Sequence, residues 1–354
     1  MPTPGAKWSL QEAIAYRNAR FEQFGKRGAA DDGAYATRAG KTDAKLAQTA
    51  NDAWRRNKKG HWENRDQLVQ RKIVKDIGRA GLINPQLIDL GRYIECMAPG
   101  AVFIPGPIKT FDSALRKTRQ DNKDRWTDSK DLARCTIAHE KQWGVDLIVS
   151  TVTHICQLIY GMKLIKAKER KPIATPENPL GYSDWNFAVV FRGSALPTEI
   201  QVNTYDMMYG KMSKDEYTAV LCDNNPGEYS RKESEMKFPG GLQHLLYEIV
   251  RDARCTEADR KAAADLGIWY CNICRNVFNE RAAGATECVR RYLDLRFSLE
   301  SDFAQTIIDS HPLPAPWNQV PLRSRSNMVS GPKGAPVPPG AYIDRNSRFR
   351  VAGI

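Results

Sequence analysis

Lys109, Ser113 and Lys117 recur every four residues, and Arg116 stands beside the last of them. On a helix running from Thr110 to Thr118, that spacing lines up cationic side chains and a hydroxyl on one face. Farther along, Asp131 and Glu199 each precede an apolar run, Leu132 to Ile137 and Ile200 to Val202. Two strand-borne carboxylates facing a cationic helix can hold a hard cation against phosphate oxygens. That is the skeleton of a phosphoryl- or pyrophosphoryl-transfer site. Taken singly, each residue reads better as an ordinary charged helix position or strand-end carboxylate. Their order along the chain is what favours a site.

These residues need a sheet to present them. Ala101 to Pro105, Leu132 to Ala138, Asn186 to Phe191 and Thr198 to Val202 are predicted strands, with a helix from Asp146 to Lys163 between the second and third. Lys163 to Lys171 reads as a basic loop beside the Gly181-Tyr182 turn. Strands interleaved with helices imply an α+β fold, a mixed sheet flanked by helices at both ends. Upstream, Ser9-Leu-Gln-Glu12 is a capping box opening a helix through Phe24. Gly25 to Gly40 reads as a loop, and helical patterns follow over Thr42–Trp54 and Glu63–Ala80. Asn84-Pro85 looks like the start of a separate helix to Cys96. Downstream, helices are predicted over Gly240–Arg254, after a Thr256-Glu-Ala-Asp259 cap, and from Thr286 to about Asp309. The expected organisation is a basic helical region over 1–98, a core over 99–212, a helical region over 213–311 and a Pro-rich extended tail over 312–354.

Composition narrows the classes. A chain of 354 residues, 42% apolar and 27% charged, suits a soluble globular protein, and its formal net charge of +12 favours an anionic partner. No run approaches the roughly 20 apolar residues of a bilayer span, and no membrane association is expected. The first residues lack the apolar core of a secretory signal, and eight scattered cysteines do not form a disulfide framework. Action in a reducing cytoplasm is the default, with secretion by a route without a cleaved signal left open. Arg55-Arg-Asn-Lys-Lys59, with Trp54, His61 and Trp62, could meet phosphates and bases, although a solvated helix end is the plainer reading. Cys271-x2-Cys274 has no second matching pair, so buried helix cysteines are expected rather than zinc ligands. His139 is expected to be structural.

Together, Gly106-x2-Lys109-x3-Ser113-x3-Lys117, Asp131-Leu-Ala, Gly181-Tyr182-Ser and Glu199-Ile-Gln201-Val-Asn203-Thr204 resemble the synthetase domain of the RelA/SpoT alarmone proteins. The resemblance covers about Gly100 to Lys211. It implies a nucleotidyltransferase-like core that moves pyrophosphate from ATP to a ribose 3′-hydroxyl with Mg2+. It assigns Lys109, Ser113, Arg116 and Lys117 to the ATP phosphates and Asp131 to the metal. Glu199 would prepare the acceptor hydroxyl near that metal, and Tyr182 would stack on the acceptor base. Asn186, Gln201 and Asn203 fall at acceptor positions.

The departures are specific. Pro107 stands where the family usually has an arginine against the adenine of ATP, Asn186 where a histidine is expected and Asn203 where an arginine is expected. Glu177 or Asn178 replaces a lysine. None of the five histidines is followed by aspartate, as the family's hydrolase half would require. The chain therefore resembles the small stand-alone synthetases and their toxin-like members, which implies a purine nucleotide acceptor and a neutralising antitoxin or immunity protein. Two alternatives stand beside it. One is a toxin that pyrophosphorylates the 3′ end of tRNA; the other is a non-catalytic, basic RNA-binding protein on the same fold.

Overall fold

The computed structural model describes residues 8–22, 65–120, 130–158, 162–191, 194, 196–276, 281–311, 341–343 and 349–351. The expected loop over 25–40, the helix over 42–54, the basic cluster around Arg55 and the tail over 312–340 lie outside them. Residue contacts divide the chain into two units. The first comprises residues 1–169 and 184–204, the second 170–183 and 205–354.

The first unit begins with α1 (residues 10–22), opened by the expected capping box. The Ser9 hydroxyl accepts the Glu12 N–H at 3.2 Å, and the Glu12 carboxylate accepts the Ser9 N–H at 2.7 Å. A long helix, α2 (Arg65–Met97), replaces the two helices expected on either side of Asn84-Pro85. Pro85 lies inside it and costs the ladder one hydrogen bond, about 3 kcal/mol in an exposed helix. Burial overrides that cost: Ile83, Leu87, Leu90 and Ile94 are each no more than 2% exposed.

Five strands form one mixed sheet in the order β1-β2-β5-β4-β3. They are β1 (Ala101–Pro105), β2 (Arg134–His139), β3 (Lys163–Arg170), β4 (Asp184–Val190) and β5 (Thr198–Thr204). β1 runs antiparallel to β2, β2 parallel to β5, and β5 antiparallel to β4. Helix α3 (Phe111–Gln120) follows β1, and α4 (Gln142–Leu158) follows β2. The expected α+β fold with a mixed sheet is thus observed, with two corrections. α4 ends at Leu158, not Lys163, and the expected basic loop is β3. That strand sits at the sheet edge and is exposed or half-exposed along its length. It therefore lacks the apolar alternation that marks a strand in sequence, and its lysines are what discourages an edge from pairing with other chains.

One sheet face is apolar. Cys135 and Ile137 of β2, Ile200 and Val202 of β5, and Phe187 and Val189 of β4 join a core with Leu87 and Ile94 of α2 and with Ile148, Val152 and Ile155 of α4. Because side chains alternate along a strand, the opposite face carries Arg134 and Thr136, Glu199, Gln201 and Asn203, and Asp184 and Asn186. The core fixes the register, and the register fixes this polar face.

The second unit is helical: α5 (Tyr205–Lys211), α6 (Lys214–Leu221), α7 (Pro226–Met236), α8 (Leu242–Arg251), α9 (Glu257–Cys274), α10 (Arg281–Ser298) and α11 (Asp302–Asp309). A two-stranded ribbon, β6 (Ala341–Ile343) with β7 (Phe349–Val351), lies within the expected tail. Thr256 and Asp259 form the expected capping box of α9. Thr286 does not cap a helix but lies within α10, and the chain breaks before α11, which Ser301 caps. Cys271 and Cys274 are buried in α9, inside the apolar core of this unit. Among the described residues no helix is long and apolar enough to cross a membrane.

Candidate active site

Two backbone contacts bring the loop after β1 against the chain leading into β2, and a third brings the start of β5 to the same place. Gly106 N–H donates to the Arg134 carbonyl at 3.0 Å and Lys109 N–H to the Leu132 carbonyl at 2.9 Å, while Glu199 N–H donates to the Ala133 carbonyl at 3.0 Å. Residues from three parts of the sequence therefore meet at one end of β2 and β5. Thr110 then opens α3, its hydroxyl accepting the Ser113 N–H at 3.4 Å. Lys109 precedes this helix instead of belonging to it, a correction to the single cationic face read from the spacing. Ala114 and Thr118 turn inward, leaving Ser113, Arg116 and Lys117 only partly covered.

Lys109 and Lys117 converge on one carboxylate oxygen. Their Nζ atoms donate to Oδ2 of Asp131 at 2.5 and 2.8 Å. The lysine side chains are 10% and 29% exposed and that of Asp131 10%, so water screens this trio weakly. Burial alone would raise the Asp131 carboxyl, but the charges of Lys117 and Lys109 outweigh it and hold the group down at about 2. Lys109 is lowered, by burial first and by the neighbouring charges of Lys117 and Arg134, against the pull of Asp131. Asp131 is the firmly ionised member; Lys109 is crowded by like charge. The other oxygen of Asp131, Oδ1, is buried and, among the described residues, accepts no hydrogen bond. An anionic oxygen in that state suits a hard cation.

Glu199 lies beside this trio through the parallel pairing of β2 with β5, where its Cα partner is Arg134. It is half-buried, and Asn186 on β4 donates its side-chain N–H to Oε1 of Glu199. Asn186 pairs with Gln201 in the antiparallel ladder, so its side chain reaches the carboxylate diagonally. Asn203 is buried and its Oδ1 accepts the N–H of Thr204 at 2.9 Å. Asp131, Lys109, Lys117, Glu199, Asn186 and Gln201 are thus gathered at the N-terminal end and polar face of one sheet.

Tyr182 lies in the second unit, where it is 7% exposed and joins that unit's core. The Arg170 guanidinium covers its ring at 5.4 Å from the centroid. Asn178 organises the loop that carries it. Its Oδ1 accepts the Tyr182 N–H at 3.1 Å, and its Nδ2 faces the carbonyls of Tyr182 at 2.8, Lys171 at 3.1 and Ile173 at 3.2 Å. Where the motif expects a lysine, Asn178 is therefore a loop staple. Gly181 takes a φ of +61° in the same turn. His139 has the expected structural place: its Nδ1 accepts the Lys141 N–H at 2.9 Å and its Nε2 meets the Pro99 carbonyl at 3.0 Å.

Sequence reasoning misses Arg134, which the motif skips over between Asp131-Leu-Ala and the rest of the strand. The signal that could have found it is the period-two pattern of β2, which places Arg134 and Thr136 on the face opposite Cys135 and Ile137.

No family model matches the chain. It is 32% identical over 154 residues, 43% of its length, to the (p)ppApp synthetase toxin Tas1 of Pseudomonas aeruginosa. It spans about a third of that relative's length, 31%. Among solved structures, the complex of the Type VI effector Tas1 with its immunity protein aligns with a TM-score of 0.45 and 27% identity, over 58% of this chain and 97% of that one. The small alarmone synthetase 1 of Bacillus subtilis, bound to its product pppGpp, aligns with a TM-score of 0.30 and 16% identity, over 48% of this chain and 95% of that one. The motif resemblance to RelA/SpoT-type alarmone synthetases is thus joined by a similarity across 154 residues to one of their toxin-like members.

Proposed function

We propose that this chain is an ATP-dependent pyrophosphokinase that modifies the 3′-hydroxyl of a purine nucleotide and acts as a growth-inhibiting toxin. The observation that carries it is the pairing of Lys109 and Lys117 with Asp131, beside Glu199 on the adjoining parallel strand. The relative's name, a (p)ppApp synthetase toxin, supports an adenosine nucleotide as acceptor. A toxin of this kind calls for a neutralising partner in the cell that makes it.

In the reaction, the acceptor 3′-oxygen attacks the β-phosphorus of ATP. The bond from that phosphorus to the α-bridging oxygen breaks, and AMP leaves. Glu199 takes the hydroxyl proton, with Asn186 holding one of its oxygens in place. Lys109, Lys117 and Arg116 meet the charge on the transferred oxygens, and Ser113 adds a neutral donor. Gln201 and Asn203 face the acceptor from the same strand as Glu199.

Magnesium fits the residues present. Oδ1 of Asp131 is a buried anionic oxygen without a hydrogen bond among the described residues, and Glu199 offers a second carboxylate. Among the described residues no group of three or more His, Cys, Asp or Glu side chains is arranged to hold a metal. Two carboxylates leave the remaining positions to phosphate and water, the pattern magnesium favours. When bound, the ion would neutralise the β- and γ-phosphates and acidify a nearby hydroxyl.

The test is incubation with γ-labelled ATP and magnesium, with ADP, ATP, GDP, GTP or tRNA as acceptor. Label is expected on an adenosine nucleotide and lost with EDTA. Label on tRNA alone would favour the RNA-modifying alternative. Folded protein that labels nothing, yet binds RNA with steep salt dependence, would favour the non-catalytic reading.

A further inference from the structure

We infer that Arg134 is a further phosphate-binding cation of this site, gripping the phosphate chain of the donor nucleotide beside Lys109 and Lys117. The inference rests on the pyrophosphokinase reading and adds a residue that the motif does not contain. Three observations lead to it.

The first is register. Arg134 opens β2 and pairs with Glu199 on β5, which places it on the polar face, three residues after Asp131. Yet its guanidinium makes no ion pair with Glu199 and, among the described residues, no hydrogen bond to any side chain. Arg134 is half-buried, and its guanidinium stands near a carboxylate without being joined to it.

The second is the path its side chain takes. A Cβ added to Gly106 would come within 2.8 Å of Cγ of Arg134 and 2.5 Å of its carbonyl oxygen. The arginine stem therefore crosses the loop that leads to Lys109 through a space that exists because residue 106 has no side chain. This gives the motif glycine a physical reason: it is the floor under Arg134.

The third is charge. Lys109, Lys117 and Arg134 face Asp131 and Glu199, three cations against two carboxylates. Bringing a polyanion here relieves like-charge crowding, whereas a neutral purine stacked on Arg134 would leave it in place. Phosphate is the ligand chemistry that matches, and a guanidinium forks onto it with two donors.

Equilibrium binding tests this separately from turnover, using inorganic tripolyphosphate and α,β-methylene-ATP, whose α–β linkage cannot be cleaved. Arg134→Met is expected to weaken both about ten- to hundredfold. Arg134→Lys, which keeps a point charge but loses the fork, should stay within about tenfold of wild type. Gly106→Ala should weaken both by displacing the arginine stem. Circular dichroism and urea midpoints of each variant report folding. Unchanged binding of both ligands by folded Arg134→Met overturns the inference. Weakened α,β-methylene-ATP with unchanged tripolyphosphate also overturns it, by moving Arg134 to the base. If wild type binds both ligands but transfers nothing, the catalytic reading fails while Arg134 as a phosphate residue survives. If wild type transfers pyrophosphate and Arg134→Met binds normally, the reverse holds.

Discussion

Asp131→Asn removes the charge around which the two lysines are arranged, and its cost can be worked from the ionisation of the native group. The carboxyl drops from an ordinary 3.8 to about 2 in the fold, a difference worth about 2 kcal/mol of stability at neutral pH. Breaking a buried pair by removing one partner has cost about 3–5 kcal/mol where the remaining charge is fully desolvated. Lys117 keeps 29% of its side chain exposed, so the lower figure, about 2–3 kcal/mol, is expected. The sign follows from linkage. A carboxyl whose folded value is depressed contributes fully above its unfolded value and loses that contribution as pH falls toward the folded one. Wild type should therefore lose about half of the Asp131 contribution by pH 3 and most of it by pH 2. Urea unfolding of wild type and Asp131→Asn at pH 7, 5, 4 and 3 measures this. The gap in unfolding free energy should hold constant from 7 to 5 and then narrow. An asparagine variant as stable as wild type at pH 7, or a gap unaffected by acid, would refute the argument that the lysines stabilise an ionised Asp131.

Glu199→Gln should lower kcat by about a hundredfold or more while leaving α,β-methylene-ATP binding within a few-fold, because the proposed reaction uses the lost group as its proton acceptor. Asn186→Ala should lower kcat about tenfold with little change in KM for ATP, and Asn186→Asp should be worse because it sets a second carboxylate against Glu199. In the second unit, Asp259 accepts hydrogen bonds from Glu300 N–H at 2.9 Å, the Ser301 hydroxyl at 2.6 Å and Thr256 N–H at 3.1 Å. Asp259→Ala should therefore cost about 2–3 kcal/mol in urea unfolding, more than an exposed cap would. A Cβ on Gly144 would fall 2.1 Å from the His139 ring, so Gly144→Ala should lower the thermal midpoint by several degrees. Adding His139→Ala should recover part of that loss, a non-additivity that marks direct contact.

How much of this was readable beforehand differed with the kind of signal. Asp131 and Glu199 were legible because each stands beside an apolar run that must enter the core, and the strands they lead into, β2 and β5, are neighbours. Helix α9 was legible because Thr256 and Asp259 state their local purpose. β3 was not, since an edge strand open to solvent on both faces has no need to alternate. The unbroken α2 was hidden because Pro85 is a strong local signal, and only the tertiary burial of Ile83 and Leu87 reverses it. Lys109 was read as part of a helical face because spacing alone cannot tell a lysine in the preceding loop from one in the first turn. The position of Arg134 depends on Gly106 and on a parallel partner 65 residues away, neither of which a local pattern encodes.

The middle place of β5 has a consequence for the living cell. This strand comes last of the five in the chain, yet it sits between β2 and β4 and touches both. A growing polypeptide that has left the ribosome only as far as β4 carries Lys109, Lys117 and Asp131 but lacks Glu199 and the strand that joins β2 to β4. The polar face that carries Glu199 is therefore completed only when this last strand pairs with β2 and β4. Amide protons of β5 should accordingly exchange as slowly as the global unfolding rate allows, whereas those of the outlying β3 should exchange early.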